Sequence, residues 1–210
     1  MKQLVAVLKN RYFILATGLL IGALVVLGIR FATYTGPQQP HYHANFAVYI
    51  NGSREQFAEA SYYVEEVACA ANGPIQPGQR AHMHDHINSL IHVHDDGTTW
   101  GQFFENIGWY VGPDFVQTRS GTMYKAGSDS KLHIMLNGSD YTGLGPITDQ
   151  VIGDRDRLLV SFGDISDTQL KQEYKTVPAT AHHYDITPDP ASCSGQMNKV
   201  TLSNRLHHLF

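Results

Sequence analysis

The stretch HYHANFAVYINGSREQF, residues 41–57, decides most of the fold. Apolar residues alternate with others from Phe46 to Ile50, which is the period-2 pattern of a half-buried β-strand. The next two residues are Asn51 and Gly52, and Asn-Gly is the pair that two-residue hairpin turns prefer. The stretch therefore predicts a β-hairpin. The alternation also places three polar side chains together on the opposite face of the first strand: His41, His43 and Asn45.

Later segments continue this pattern. KLHIMLNGSDY (131–141) predicts a second Asn-Gly hairpin, and RDRLLVSFGD (155–164) predicts a late strand rich in core residues. Helices are predicted in GTTWGQFFENIGW (97–109), with Thr98 or Thr99 as the N-cap, and in SDTQLKQEYKTV (166–177), with Ser166 as the N-cap. Together they predict an α+β fold that is mostly β. The expected arrangement is a hairpin-rich, β-grasp-like domain after an N-terminal transmembrane helix, with a β-sandwich as the alternative.

The N-terminus predicts a membrane anchor. Residues from Phe13 to Ile29 are apolar and uncharged, and about 20 such residues span a hydrocarbon core of ~30 Å. Lys9 and Arg11 precede the run, so the positive-inside rule places the N-terminus in the cytoplasm and the rest of the chain outside. A cleavable signal peptide is the alternative, although its apolar core is usually shorter and no clean small-x-small cleavage site follows here.

The predicted organisation has four parts: a cytoplasmic tip and transmembrane signal anchor (1–34), a spacer (35–40), an extracytoplasmic α+β domain (41–177) and a C-terminal tail (178–210). The tail lacks periodicity and is expected to be mainly loop. Cys69 and Cys193 have no metal-finger or redox spacing. In an exported domain the default is one disulfide between them, which would pin the tail, and the alternative is a cysteine that acts as metal ligand or nucleophile.

Charge is unevenly distributed along the chain. Residues 1–35 hold four of the 15 lysines and arginines and no acidic residue, whereas the remainder carries 11 basic and 19 acidic residues. An acidic remainder lacks the basic surface that nucleic-acid binding requires, so a nucleic-acid partner is not expected. An acidic exterior domain is compatible with cations as ligands.

Histidines are concentrated in AHMHDHINSLIHVHDDG, residues 81–97. Five of the 12 histidines of the chain lie in this stretch: His82, His84, His86, His92 and His94. A His-x-His pair on a strand places both imidazoles on one face, which is how a strand presents a transition-metal site. His41 and His43 repeat the spacing upstream.

The loop between the two halves of this hairpin decides whether the histidines meet. With an odd loop such as 87–89, His84 faces His92 and His82 faces His94, so that four imidazoles share a face. With a two-residue loop the two sets lie on opposite faces. The odd loop is favoured because Asn88-Ser89 lacks the glycine of two-residue turns, and because it leaves the apolar residues of the hairpin for the core.

We expect this face to bind copper or zinc, both of which accept neutral imidazole. The predicted ligands are His82, His84, His92 and His94, with His41 and His43 as further ligands. Three carboxylates could orient the rings: Asp85, Asp95 and Asp96. Met83 and Met135 are a weak indication of copper, since methionine at strand spacing is more often core filler.

The predicted role is metal capture or delivery at the cell surface. Two alternatives remain: a structural or adhesive surface module with a pH-responsive His face, and a metal-dependent enzyme with Asp95 or Asp96 as a base. An enzyme is less expected because no phosphate-binding loop, dinucleotide motif or nucleophile elbow occurs in the sequence.

The run HYHANFAVYING … HMHD … IHVHDDGTTWGQFFENIG … RDRLLVSFGD resembles a group of membrane-anchored, His-rich microbial surface proteins. The resemblance covers about residues 41–165. No activity is established for that group, so the resemblance implies an exported, anchored, His-rich domain and implies no particular reaction.

Overall fold

A computed structural model of the chain describes residues 10–34, 40–64, 75–83, 85–143, 145–186 and 202–209. The chain divides into two compact units: residues 1–38 with 197–210, called the anchor unit, and residues 39–196, called the sheet domain. Two predictions lie outside the described residues, namely the disulfide between Cys69 and Cys193 and the ligand His84.

The described residues form six α-helices and ten strands. In chain order they are α1 (Arg11–Thr33), β1 (Tyr42–Ile50), β2 (Ser53–Arg54), α2 (Pro77–Arg80), β3 (Ala81–His82), β4 (Leu90–Val93), α3 (Trp100–Asn106), β5 (Tyr110–Val111), β6 (Phe115–Gln117), β7 (Met123–Lys125), β8 (Lys131–Leu136), β9 (Ser139–Asp140), β10 (Arg157–Gly163), α4 (Asp167–Lys175), α5 (Ala181–Ile186) and α6 (Leu202–His207). Two 3₁₀ turns lie at Ala60–Tyr62 and Ile147–Asp149.

The apolar N-terminal run forms one long helix, α1. It begins after Asn10, whose side chain accepts a hydrogen bond from the backbone N–H of Tyr12 at 3.0 Å. Its 23 residues extend about 35 Å. The helix is therefore long and apolar enough to cross a bilayer.

The main sheet of the sheet domain has the order β3-β4-β1-β10-β8-β9, with β2 also paired to β1. β1 and β10 run parallel at the centre, and their outer neighbours β4 and β8 are antiparallel to them. The first and last described strands thus pair with each other, while α3 packs on one face. This mixed α+β sheet confirms the predicted fold class, in its β-grasp-like form.

Both Asn-Gly hairpins are confirmed. Asn51 and Gly52 have φ of 51° and 76°, and Asn137 and Gly138 have φ of 53° and 86°. These left-handed values at two successive residues match the twist of a tight hairpin, and asparagine and glycine adopt them at low cost. The turns fix the registers of β1 with β2 and of β8 with β9.

One face of the sheet carries the larger core. Phe46 and Val48 of β1 pack there with Trp100, Phe103 and Phe104 of α3, and all five are fully buried. The predicted helix start is confirmed, since the side chain of the N-cap residue Thr99 accepts from the backbone N–H of Gln102.

The other face of β1 is covered by α4 and α5. Tyr49, Met135, Leu159 and Leu170 form a smaller apolar cluster beneath α4, which begins at its predicted cap Ser166. His43 of β1 lies on this second face, so it shares a side of the sheet with the helices that follow β10.

One segment differs from its sequence-based prediction, and another was not predicted. The chain after Pro178 was expected to be loop, but α5 and α6 form there, and α5 packs on β1. Residues 110–125 fold as a separate three-stranded sheet of the order β5-β6-β7. Neither segment has a strong apolar period, which is why the sequence pattern does not reveal them.

Candidate metal centre

Strand pairing places three histidines in one row across three strands. His43 of β1 lies opposite His92 of β4, and His92 lies opposite His82 of β3. Residues directly opposite each other point to the same side of a sheet. The three side chains are at most 1% exposed, so the row is enclosed by the protein.

Among the described residues, two more histidines join this row. The backbone N–H of His94 donates to the carbonyl of Arg80 at 2.8 Å, which continues the pairing beyond β4. The ring of His94 lies 4.8 Å from that of His41 and 5.1 Å from that of His82, both nearly parallel. His94 is 4% exposed, whereas His41 is partly exposed. The five imidazoles will be called the His cluster: His41, His43, His82, His92 and His94.

The hairpin register has the predicted parity but not the predicted partners. His82, rather than His84, lies opposite His92, so the register is shifted by two residues from the one expected. A shift of two keeps every side chain on its face. His82 and His92 therefore share a side with His43, and Met83, Ile91 and Val93 pack in the core as expected.

Within the His cluster, three residues are placed to bind one ion together. Each of His41, His43 and His92 offers a ring nitrogen, and these atoms all lie within 4.8 Å of one another. Nε2 of His43 is 2.9 Å from Nδ1 of His92. Nitrogens bound to one tetrahedral zinc ion lie about 3.3 Å apart. The His43–His92 pair is at hydrogen-bond distance, somewhat shorter than this ligand spacing, and the ring nitrogen of His41 lies within 4.8 Å of both.

A carboxylate fixes the orientation of His43. Oδ1 of Asp185, in α5, lies 2.7 Å from Nδ1 of His43. An ionised carboxylate only accepts, so Nδ1 of His43 is the donor; in the neutral tautomer, Nε2 is then the acceptor in the hydrogen bond with Nδ1 of His92. Metal-binding histidines characteristically have their second nitrogen held by such a group.

Arg155 holds this carboxylate from the other side. Its Nε donates to Oδ2 of Asp185 at 3.1 Å, while its backbone N–H donates to the carbonyl of His43 at 2.8 Å. The residue has φ of 63°, a left-handed conformation that a non-glycine residue adopts only when its surroundings hold it there. Arg155 therefore ties the start of β10 to both members of the Asp185–His43 pair.

Asn45 brings the segment that carries Asp185 onto the sheet. Its Oδ1 accepts from the backbone N–H groups of Thr180 and Ala181, both at 3.0 Å. Its Nδ2 donates to the carbonyl of Ser89 and to Oγ1 of Thr180. The amide is fully buried with all four hydrogen bonds made. Since Asn45 and His43 share a face of β1, this contact places α5 over the His cluster.

Tyr42 supports the cluster from the opposite face of β1. Its hydroxyl donates to the carbonyl of Ile152 at 2.9 Å. Burial, and then the nearby carboxylates led by Asp96 and Asp156, raise the pKa of Tyr42 to about 12. The phenol therefore remains a protonated hydrogen-bond donor at neutral pH.

Three of the other predicted contributors have contacts of a different kind. Asp95 forms an ion pair with Arg80 at 3.2 Å. Met83 packs in the larger core and Met135 in the cluster beneath α4, so neither methionine belongs to the His cluster. The carboxylate that does orient an imidazole, Asp185, was not predicted, because it comes from a segment without strand or helix periodicity.

The site is a buried group of nitrogen donors with one anchored carboxylate behind it, which is chemistry suited to a borderline divalent ion. Comparison of the chain with protein-family models, with curated proteins and with solved structures finds no match in any of the three.

Proposed function

We propose that this chain is a membrane-anchored, extracytoplasmic protein that binds a transition metal, copper or zinc, for capture or delivery. The observation that carries the proposal is the convergence of ring nitrogens from His41, His43 and His92 within 4.8 Å. Neutral imidazole is a ligand that both metals accept.

The surroundings of the His cluster support a site that holds a metal. Asp185 and Arg155 fix one ring of the triad, and such outer contacts increase the basicity of the ligand and its preorganisation. His43 and His92 are at most 1% exposed, whereas His41 is partly exposed. We therefore assign His41 as the ligand by which an ion enters and leaves, and the two buried rings as the ligands that retain it.

The full ligand set in this proposal includes the rings adjacent to the triad. His82 and His94 lie next to His92 and His41 in the cluster, and His84 remains a candidate from the sequence. Met83 and Met135 pack in the two apolar clusters, and the donors that converge here are imidazole nitrogens. Nitrogen donors suit Zn(II) and Cu(II).

The anchor and the side of the membrane belong to the same proposal. We propose that α1 is retained as a signal anchor, with the N-terminus in the cytoplasm, because basic residues precede its apolar run and the acidic residues follow it. The resemblance to His-rich microbial surface proteins is consistent with this placement.

The two alternatives have less support. A pH-responsive adhesive face needs accessible imidazoles, but four of the five rings are at most 4% exposed. A metal-dependent enzyme needs a base near the ion, and Asp95, one of the two bases considered, is held by Arg80. Metal capture or delivery requires neither feature.

The test is the metal content of the full-length protein, purified in detergent and measured by elemental analysis. We expect about one equivalent of copper or zinc in the wild type and its loss in a His43→Ala/His92→Ala variant. His133→Ala is the matched control, since His133 lies on β8 away from the cluster. A His82→Ala/His94→Ala variant measures how much of the metal content depends on these two neighbouring rings. Unchanged metal content in the His43→Ala/His92→Ala variant would contradict the proposal.

A further inference from the structure

The end of α1 is clamped by the C-terminal helix α6. Nη1 of Arg205 donates to the backbone carbonyls of Phe31 and Ala32, at 2.5 and 3.1 Å. In the reverse direction, Nη2 of Arg30 donates to the carbonyl of His208 at 2.9 Å. The last carbonyls of a helix lack partners within the helix and carry its partial negative charge, so a guanidinium is well matched to them.

A groove of about 370 Å³ lies at this junction. It is lined by Tyr34, Ser203, His207 and His208, and the rings of Tyr34 and His208 stack at 4.3 Å. Hydroxyl and imidazole groups can all donate hydrogen bonds. The groove therefore offers several donors at the end of the apolar helix.

The whole anchor unit is basic and lacks acidic residues. Residues 1–38 and 197–210 contain six lysines and arginines and no aspartate or glutamate, whereas residues 39–196 contain nine basic and 19 acidic residues. The acid-free composition thus extends to the C-terminal segment that packs on α1. Such a surface attracts the phosphate groups of anionic lipids.

Two leucines are exposed on one face of α6, beside the exposed Ser203 and His207. Leu202 and Leu206 are 70% and 49% exposed, and a spacing of four residues places them on one face of the helix. Leucines on one face with cations nearby are the pattern of a helix that lies in the membrane interface.

We propose that the junction of α1 and α6 binds the headgroup of an anionic phospholipid, with α6 lying in the bilayer interface. The groove donors and the two arginines hold the phosphate, and Leu202 and Leu206 enter the acyl boundary. The end of a helix that crosses a bilayer lies at the depth of the headgroups. The proposed site is therefore at the same depth as the phosphate that it binds. The proposal rests on α1 crossing a membrane and does not depend on the metal.

The experiment uses the full-length protein in nanodiscs of phosphatidylcholine alone or of an equal mixture with phosphatidylglycerol. Hydrogen exchange of the 202–209 segment is expected to be severalfold slower in the mixed nanodiscs. Native mass spectrometry is expected to show preferential retention of phosphatidylglycerol. Each arginine removed in Arg30→Gln and Arg205→Gln is expected to lower that preference about fivefold.

The matched control is Lys171→Gln/Lys175→Gln, which removes two exposed cations from α4 of the sheet domain. It is expected to leave the lipid preference unchanged. Equal exchange in both nanodiscs would overturn the proposal, and so would inorganic phosphate that protects the segment in phosphatidylcholine alone, because the groove would then be a site for the free anion. Metal content measured on the same samples reports separately on the His cluster.

Discussion

The carboxylate of Asp185 lies 2.7 Å from Nδ1 of His43, although 142 positions separate the two residues in the chain. This contact joins a helix near the end of the sheet domain to its first strand. It orients the ring whose other nitrogen faces His92, so the orientation of a proposed ligand depends on a residue outside the His-x-His pattern.

We expect Asp185→Asn to lower metal affinity about 10- to 100-fold, which is the usual effect of removing an outer carboxylate from a ligating histidine. The amide retains the size of the side chain but not its charge, so the fold should persist. Competition with a chelator of known affinity measures the change. Asp114→Asn removes an exposed carboxylate paired with Lys125 and is the control. Equal affinities in the two variants would show that Asp185 does not act on the site.

We expect Asn45→Ala to reduce the free energy of unfolding by about 2–4 kcal/mol, because it leaves several buried backbone groups without a partner. Urea denaturation followed by circular dichroism measures the loss. Asn88→Ala is matched to it, since the Asn88 amide makes one exposed hydrogen bond to the carbonyl of Gln56. A loss for Asn45→Ala no larger than that of the control would contradict the assigned role. We also expect weaker metal binding by the Asn45 variant, since α5 carries Asp185.

We expect Gly101→Ala to destabilise the protein by about 1–3 kcal/mol, although alanine is the better helix former. A Cβ at Gly101 would lie 2.7 Å from the carbonyl oxygen of Thr148, which is backbone and cannot easily move away. Gly78→Ala in α2 meets no atom within 4 Å and should be neutral or slightly stabilising. Thermal unfolding of both variants measures the difference, and a neutral Gly101→Ala would show that α3 does not pack this closely on the 147–149 turn.

We expect the Tyr174 side chain to reduce stability at high pH. Burial raises the pKa of Tyr174 above its usual value, and the guanidinium of Arg157 over its ring lowers the pKa by less. A folded-state pKa above the unfolded one means that the stabilisation is complete below pH ~10 and is lost as the pH rises through the folded pKa. Urea unfolding of wild type and Tyr174→Phe between pH 8 and 11 tests this. The two stability curves should diverge above pH ~10, with the variant falling less. Parallel curves would contradict the prediction.

Local patterns were sufficient to predict the parts of the fold that depend on local physics. The Asn-Gly turns, the capped helices and the alternation in β1 each follow from a few adjacent residues. The parity of the loop in the His hairpin was also predictable. An odd number of loop residues directs the apolar side chains of the hairpin into the core and avoids a two-residue turn that lacks glycine. The exact register of the hairpin was not predictable, since a slip of two residues leaves every side chain on its face.

The missed parts of the site depend on contacts between distant segments. Asn45 is a polar residue within an apolar strand. This is a sequence feature that could have indicated that another segment packs against β1 at this position. Nothing in the sequence around Asp185 indicates its partner, because it lies in a helix of six residues. Arg155 likewise obtains its role from a left-handed backbone conformation that only the folded chain imposes.

The parallel pairing of β1 with β10 also determines when the site can exist. A parallel pair between the first and last strands of a domain forms only after the whole intervening chain is available, and such distant contacts form slowly. His43 is synthesised early, but its carboxylate partner follows β10. An incompletely synthesised chain therefore lacks the complete His cluster, and we expect it to bind metal only after the whole sheet domain has been translated and folded.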